Sequence, residues 1–169
     1  MKTHFHQLPP HARIWVYQAN RNLAEIEVSY IQENLEKQVD NWAAHGAPLL
    51  ASVKVFYDRF VVVGLDENQN AASGCSIDAS THWLKDLGAE LGIDFFNRSI
   101  LFWQNEALKS VEMLQIKALV AEEIINPETL IFNNLVSNFR EFQSNWQVKA
   151  GDSWMKRYFK VGQDWVSSF

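Results

Sequence analysis

Apolar and polar residues alternate in blocks along the chain, and the blocks predict a series of strands and helices. Residues 14–17 form a short β-branched and aromatic run, which is typical of a strand. Residues 24–42 carry an apolar side chain at every third or fourth position, as on one face of an amphipathic helix. Asn22 fits the N-cap of this helix, and Gly46 and Pro48 are expected to end it.

The middle of the chain predicts two more strands and a second helix. Residues 53–57 and 60–65 are apolar runs on either side of a polar break, which favours a hairpin. A polar, turn-rich loop follows, and the next helix is expected to start near Asp78 or Ser80 and to end at Gly92. Residues 100–103 are then the predicted fourth strand.

The last third of the chain is predicted to be helical. Apolar residues recur at helical spacing over residues 111–125 and again over residues 135–146, and an aromatic tail that includes Trp165 follows. We therefore expect a single domain over residues 1–169. Its parts would include an extended lead-in at 1–11 and a helical C-terminal extension at 106–169.

The order β-α-β-β-α-β predicts an α+β fold. In its ferredoxin-like (βαββαβ) form, an antiparallel sheet carries helices on one face, here with extra C-terminal helices. The middle strands are apolar on both sides, so both faces of the sheet need a cover. Either the C-terminal helices or a second copy of the chain could supply it, and this pattern favours a homodimer.

Composition excludes several classes of function. The chain has 169 residues, is 47% hydrophobic and contains only 7 glycines and 4 prolines, which is unlike disordered or low-complexity protein. The net charge of −5 argues against a nucleic-acid or anionic-membrane partner. A single cysteine excludes an internal disulfide. With no signal-peptide pattern and no membrane-spanning apolar run, we expect a soluble cytoplasmic protein.

The polar loop at residues 66–76 and the start of the next helix form the candidate site. Amides at a helix N-terminus lack partners and carry the positive end of the dipole, so they bind anions or activate a thiol. Cys75 is the only thiol, and His82 is its candidate catalytic partner. The remaining candidates would bind a ligand: Asp66, Gly74, Ser76, Asp78 and Ser80. Alternatively, Asp78 and Ser80 are only helix caps, and Cys75 is a small buried apolar side chain.

A second cluster, at the end of the first predicted helix, adds Trp42 and His45 to the ligand-binding candidates. A histidine in the last turn is also favoured by the helix dipole, so a purely structural cap is the alternative. Cys75, Asp78 and His82 share one helical face but lack a fourth ligand, so we expect no metal and no cofactor.

Five segments carry a resemblance to a known family: RIWVYQANR (13–21), WAAHG (42–46), GCSIDAS (74–80), FNN (132–134) and SW (153–154). They resemble an uncharacterised bacterial family whose members are often labelled "ABC transporter ATPase", over nearly the whole chain. The resemblance implies a site made of Trp42, His45, Asp66, Gly74, Cys75, Asp78 and Ser80. A P-loop needs a glycine followed by a lysine, and no glycine of this chain precedes one.

Two functions follow from these patterns. The first is a non-enzymatic module that binds a small ligand or a partner protein through its sheet or through residues 66–82. The alternative is an enzyme in which Cys75, aided by His82, attacks a small acyl or electrophilic substrate.

Overall fold

The computed structural model describes residues 1–159, which form two compact units of mixed α+β structure. The first unit consists of Met1–Asn97 and Asn134–Gln143. The second contains residues 98–133 and the described part of the segment that starts at Ser144. Within residues 1–159, no helix has the length and apolar character needed to cross a membrane.

The first unit is built on a three-stranded antiparallel sheet. Its elements in chain order are β1 (Arg13–Gln18), α1 (Glu25–Asp40), β2 (Ala43–Ala44), β3 (Ala47–Pro48), β4 (Leu50–Phe56), β5 (Phe60–Asp66) and α2 (Gly74–Leu91). The strand order is β1-β5-β4, so β5 is central and β4 is an edge strand. Helices α1 and α2 cover one face, where Val63 and Leu65 of β5 are buried with Leu35 and Leu84 of the helices.

The predicted first strand and the predicted hairpin are confirmed. The turn between β4 and β5 has positive φ at both central residues, Tyr57 (54°) and Asp58 (53°), and the Arg59 N–H donates to the Phe56 carbonyl at 3.0 Å. This is the backbone of a type I′ turn, which matches the twist of a hairpin even without the usual Asn-Gly pair.

The first helix begins later than predicted. Its N-cap is Ala24, not Asn22, and the Glu27 carboxylate accepts a hydrogen bond from the Ala24 N–H at 2.9 Å. The side-chain oxygen of Asn22 accepts instead from Arg59 Nη1 at 3.1 Å. Asn22 therefore joins the loop after β1 to the hairpin turn and does not cap the helix.

The same helix also ends earlier than predicted, at Asp40. The chain then forms the short β2–β3 hairpin, in which Ala44 pairs with Ala47. The two turn residues have positive φ, 51° at His45 and 81° at Gly46, which suits a tight hairpin turn. Gly46 therefore turns a hairpin, and the expectation that His45 lies in the last turn of a helix is wrong.

The second unit holds a four-stranded sheet of order β7-β6-β8-β9. The elements that follow α2 are β6 (Ile100–Gln104), β7 (Ala107–Val111), α3 (Ile116–Ala121), β8 (Leu130–Phe132), α4 (Phe139–Asn145) and β9 (Gln147–Lys149). The predicted fourth strand, β6, thus pairs with β7 and β8 and does not join the first sheet. The α+β class is confirmed, whereas the ferredoxin-like order is not.

The described part of residues 106–169 is less helical than predicted. Residues 111–125 contain one α-helix of 6 residues, α3, and residues 135–146 contain one of 7 residues, α4. Val111, Ile116 and Ile125 are buried in one cluster, but a strand, a helix and a loop supply them in turn. Spacing of three or four residues therefore did not identify a continuous helix, and Trp165 lies outside the described residues.

Segments of the same chain cover the second face of the first sheet. Phe5, in a 3-10 helix at Phe5–Gln7, is 5% exposed. Its ring packs at centroid distances of 5.3 to 5.5 Å against the rings of Phe56, Phe139 and Phe142. Leu8 lies on β5 so closely that a Cβ at Gly64 would be 2.3 Å from its Cδ1 atom. The apolar face that favoured a homodimer is therefore covered by the lead-in and α4.

We expect Phe5→Ala to lower the free energy of unfolding by about 3 kcal/mol, because truncating a buried aromatic side chain leaves a cavity. Urea denaturation measures the change. Phe96→Ala is the control, since the Phe96 side chain is 40% exposed. A Phe5→Ala loss no larger than the Phe96→Ala loss would contradict the role of Phe5 in covering the sheet.

The ion pair between Arg21 and Glu27 predicts a change of stability in acid. The Arg21 hydrogen bond, followed by that of the Ala24 N–H, lowers the pKa of Glu27 from 4.5 to about 2. Glu27 therefore stabilises the fold above pH 4.5, and this contribution is lost as the pH falls towards 2.

We expect Glu27→Gln to remove this part of the pH dependence, so that the variant loses less stability than the native chain between pH 6 and pH 3. Urea denaturation at both pH values measures it. Glu25→Gln, at the exposed first residue of α1, should keep the native pH profile. Identical profiles for the two variants would exclude the assigned role of Glu27.

Candidate functional site

The helix that carries Cys75 starts earlier than predicted. Its N-cap is Ser73, whose Oγ atom accepts from the Ser76 N–H at 3.1 Å, and Ser76 Oγ accepts from the Ser73 N–H at 2.7 Å. The helix thus begins at Gly74 and not at Asp78 or Ser80. Cys75 is its second residue and is exposed, so the interpretation of Cys75 as a small buried side chain is wrong.

Most of the predicted ligand-binding side chains near Cys75 are engaged in local structure. Ser76 and Ser80 are 3% and 0% exposed, and Ser80 Oγ donates to the Ile77 carbonyl at 2.6 Å. Asp66 Oδ1 accepts from the Asn68 N–H at 3.0 Å within the loop. Asp78 is exposed on the helix. The helix is therefore capped by Ser73 together with Ser76, and the alternative that Asp78 and Ser80 are its caps is wrong.

Trp42 lies at the start of the same helix, but its side chain is buried and has a structural role. Its Nε1 atom donates to the Ser76 carbonyl at 2.8 Å, and its side chain is 4% exposed. The ring lies edge-on between those of Trp15 and Trp83, at centroid distances of 6.2 and 5.2 Å. The indole is thus fully used in packing, while His45 is exposed in the β2–β3 turn.

The predicted catalytic pair is separated along its helix. Cys75 and His82 are seven residues apart in α2, which places them about 10 Å apart along the helix axis. That spacing is too long for a hydrogen bond between thiol and imidazole. Among residues 1–159, no group of three or more His, Cys, Asp or Glu side chains is placed to hold a metal ion.

A groove of about 600 Å³ lies along the outer edge of β4. One wall is α1, where Val28, Gln32 and Glu36 line it; the others are residues 52–55 of β4 and residues 2–7. No local pattern marks this groove, because its walls come from three separate segments and meet only in the folded chain.

Backbone groups of β4 face this edge. Gln32 Nε2 donates to the Val53 carbonyl at 2.8 Å, and Gln32 Oε1 accepts from the Val55 N–H at 3.0 Å. The Ala51 carbonyl accepts from the Thr3 N–H at 2.8 Å. Alternate residues of an antiparallel strand direct their backbone groups to the same side. The Val53 N–H and the Val55 carbonyl therefore also point towards the outer edge.

Charged side chains line the groove as well. Lys2 Nζ lies 3.5 Å from Glu36 Oε2, and Glu36 Oε1 also accepts from Gln32 Nε2 at 2.9 Å. On the other face of β4, Lys54 Nζ lies 3.1 Å from His6 Nε2 and 5.2 Å from the centre of the Phe56 ring. The groove thus combines apolar side chains with two lysines and one carboxylate.

No protein-family model, curated protein or solved structure matches this chain. The resemblance of the five segments to the uncharacterised bacterial family stays a prediction. Any function is therefore proposed from the geometry of the chain itself.

The structure predicts opposite effects of alanine at two glycines of α2. A Cβ at Gly74 would have no heavy atom within 4 Å, whereas a Cβ at Gly88 would lie 2.4 Å from the Ile93 carbonyl oxygen. We expect Gly74→Ala to stabilise the chain by about 0.5 kcal/mol, since alanine favours a helix. Gly88→Ala should destabilise it by more than about 1 kcal/mol through overpacking.

Thermal or urea unfolding of the two variants checks this expectation. If Gly74→Ala destabilised the chain as much as Gly88→Ala, the start of α2 would need a glycine, contrary to the open space beside it.

Proposed function

We propose that the chain is a binding module that holds a small amphiphilic molecule in the groove along β4. The volume of about 600 Å³ falls in the range of small-molecule sites, which span roughly 300 to 1,000 Å³. This proposal keeps the expected function, a small-ligand or protein-binding module, and places it on the sheet edge.

The observation that carries the proposal is the mixed lining of the groove. Val28 and Val55 offer apolar surface, and the Val53 N–H and the Val55 carbonyl, which Gln32 does not occupy, face the same edge. Small-molecule sites combine a mostly apolar wall with a few polar groups that fix the orientation of the ligand.

The loop after β5 and the first turns of α2, residues 66–82, offer less to a ligand. Two of the hydroxyl groups in this segment, those of Ser76 and Ser80, bond to the backbone of their own helix, and Ser73 caps it. A side chain that already satisfies a buried backbone group gives up that bond when it turns to a ligand, and this loss costs free energy.

The alternative is a cysteine-dependent enzyme, and the exposure of Cys75 at the second residue of α2 supports it. Its predicted base, His82, is too distant along the helix to accept the thiol proton directly. For this alternative, alkylation kinetics would have to show an apparent thiol pKa clearly below about 8.5. Under the binding proposal, Cys75→Ser binds the same ligand as the native chain.

Filling the groove tests the proposal. The probe is N-phenyl-1-naphthylamine, a neutral amphiphilic dye whose fluorescence rises in apolar surroundings. We expect saturable binding to the native chain and at least a tenfold weaker affinity for Val28→Trp, whose ring would occupy the groove. Fluorescence titration measures both affinities.

The matched control is Ser29→Trp, which adds the same ring to the adjacent, exposed position of α1. It should bind the dye like the native chain. Both variants should have the same unfolding temperature as the native chain. No saturable binding to the native chain, or equal affinities for the two variants, would refute the groove as the site.

A further inference from the structure

We propose that the groove selects a small carboxylate with a short apolar body, and that Lys54, beside His6, holds the carboxylate group. This inference rests on the proposed function, because it names the class of ligand for the same groove.

Among residues 1–159, no carboxylate forms an ion pair with the Lys54 ammonium group. Ion pairs within residues 1–159 join Lys2 to Glu36, Arg13 to Glu67, Arg21 to Glu27 and Lys149 to Glu128. Lys54 is half-buried and forms none of them with a described carboxylate. A partly desolvated ammonium group gains free energy when an anion reaches it, so Lys54 is suited to receive a negative charge.

His6, the hydrogen-bond partner of Lys54, does not neutralise this charge. An ammonium group only donates hydrogen bonds, so His6 Nε2, at 3.1 Å from Lys54 Nζ, is placed as the acceptor. Glu36, the carboxylate that lines the groove, is already held by Lys2 and Gln32. His4 adds no negative charge, so the lining as a whole carries a net positive charge.

The ammonium group is also fixed before a ligand arrives. It lies 5.2 Å from the centre of the Phe56 ring, and Phe56 packs against Phe5 at 5.3 Å in the covered second face of the sheet. A charged group that is already positioned loses little conformational entropy on binding. Lys54 is thus prepared to bind an anion, unlike an exposed lysine on a flexible side chain.

The apolar side chains of the groove indicate what the rest of the ligand is like. Val28 and Val55 also line the groove. One unpaired lysine matches one negative charge, and the apolar wall matches a short hydrocarbon chain. A monocarboxylate with a short hydrocarbon chain, such as hexanoate, has both features and is small enough for a groove of about 600 Å³.

Three probes with the same hydrocarbon chain and different charge test the inference: hexanoate, 1-hexanol and hexylammonium. Each is titrated into the full ¹⁵N-labelled chain at pH 7, and the amide resonances report binding. We expect hexanoate to bind at least tenfold more tightly than hexanol, and hexylammonium to bind most weakly. The amides of residues 52–55 should shift on binding.

Lys54→Met removes the charge and keeps a long apolar side chain. We expect it to lose the tenfold preference for hexanoate over hexanol. Lys109→Met, at an exposed lysine of strand β7, is the matched control and should keep the preference.

The outcomes separate the inference from the proposed function. If the native chain binds the neutral dye in the groove but does not prefer hexanoate to hexanol, the inference is overturned and the proposed function stands. Persistence of the preference in Lys54→Met also overturns it. If neither the dye nor hexanoate binds, the proposed function fails as well.

Discussion

The burial of β5 on both faces is the constraint on which the first unit depends. Phe60, Val62 and Leu65 are each 0% exposed, so the sheet needs a cover on each side. Helices α1 and α2 supply one cover. The chain from Phe5 onwards supplies the other, after pairing with the edge of β4 at Lys2 and Ala51. The segment at residues 2–7 that reaches the second face thus also forms one wall of the groove.

The strands of the first sheet, the end of α2 and the α+β class could be predicted, since their apolar runs and glycines act locally. Gly92 ends α2 with φ of 68°, as its position in the sequence indicates. The β2–β3 hairpin could not be predicted, because the alanines at positions 43, 44 and 47 fit a helix as well as a strand. The pairing of β6 outside the first sheet is a tertiary choice that a linear pattern does not encode.

The candidate site, too, could be predicted from the sequence only in part. Small polar residues before a helix both bind anions and cap helices, and the sequence does not distinguish these roles. At Ser73 and Ser76 the structure shows capping, and at Cys75 it shows exposure without a nearby partner from His82. Lys54, His6 and Gln32 are far apart in the sequence and meet only because β4 is an edge strand.

The Gln32 side chain has a further consequence for β4. Its amide bonds to the Val53 carbonyl and the Val55 N–H as a peptide group of a neighbouring strand would. Together with the Thr3 N–H on the Ala51 carbonyl, it occupies positions where a foreign strand would dock. An open edge invites aggregation by strand addition. Gln32 of α1 thus protects the edge of β4 from the strand addition that leads to fibrils.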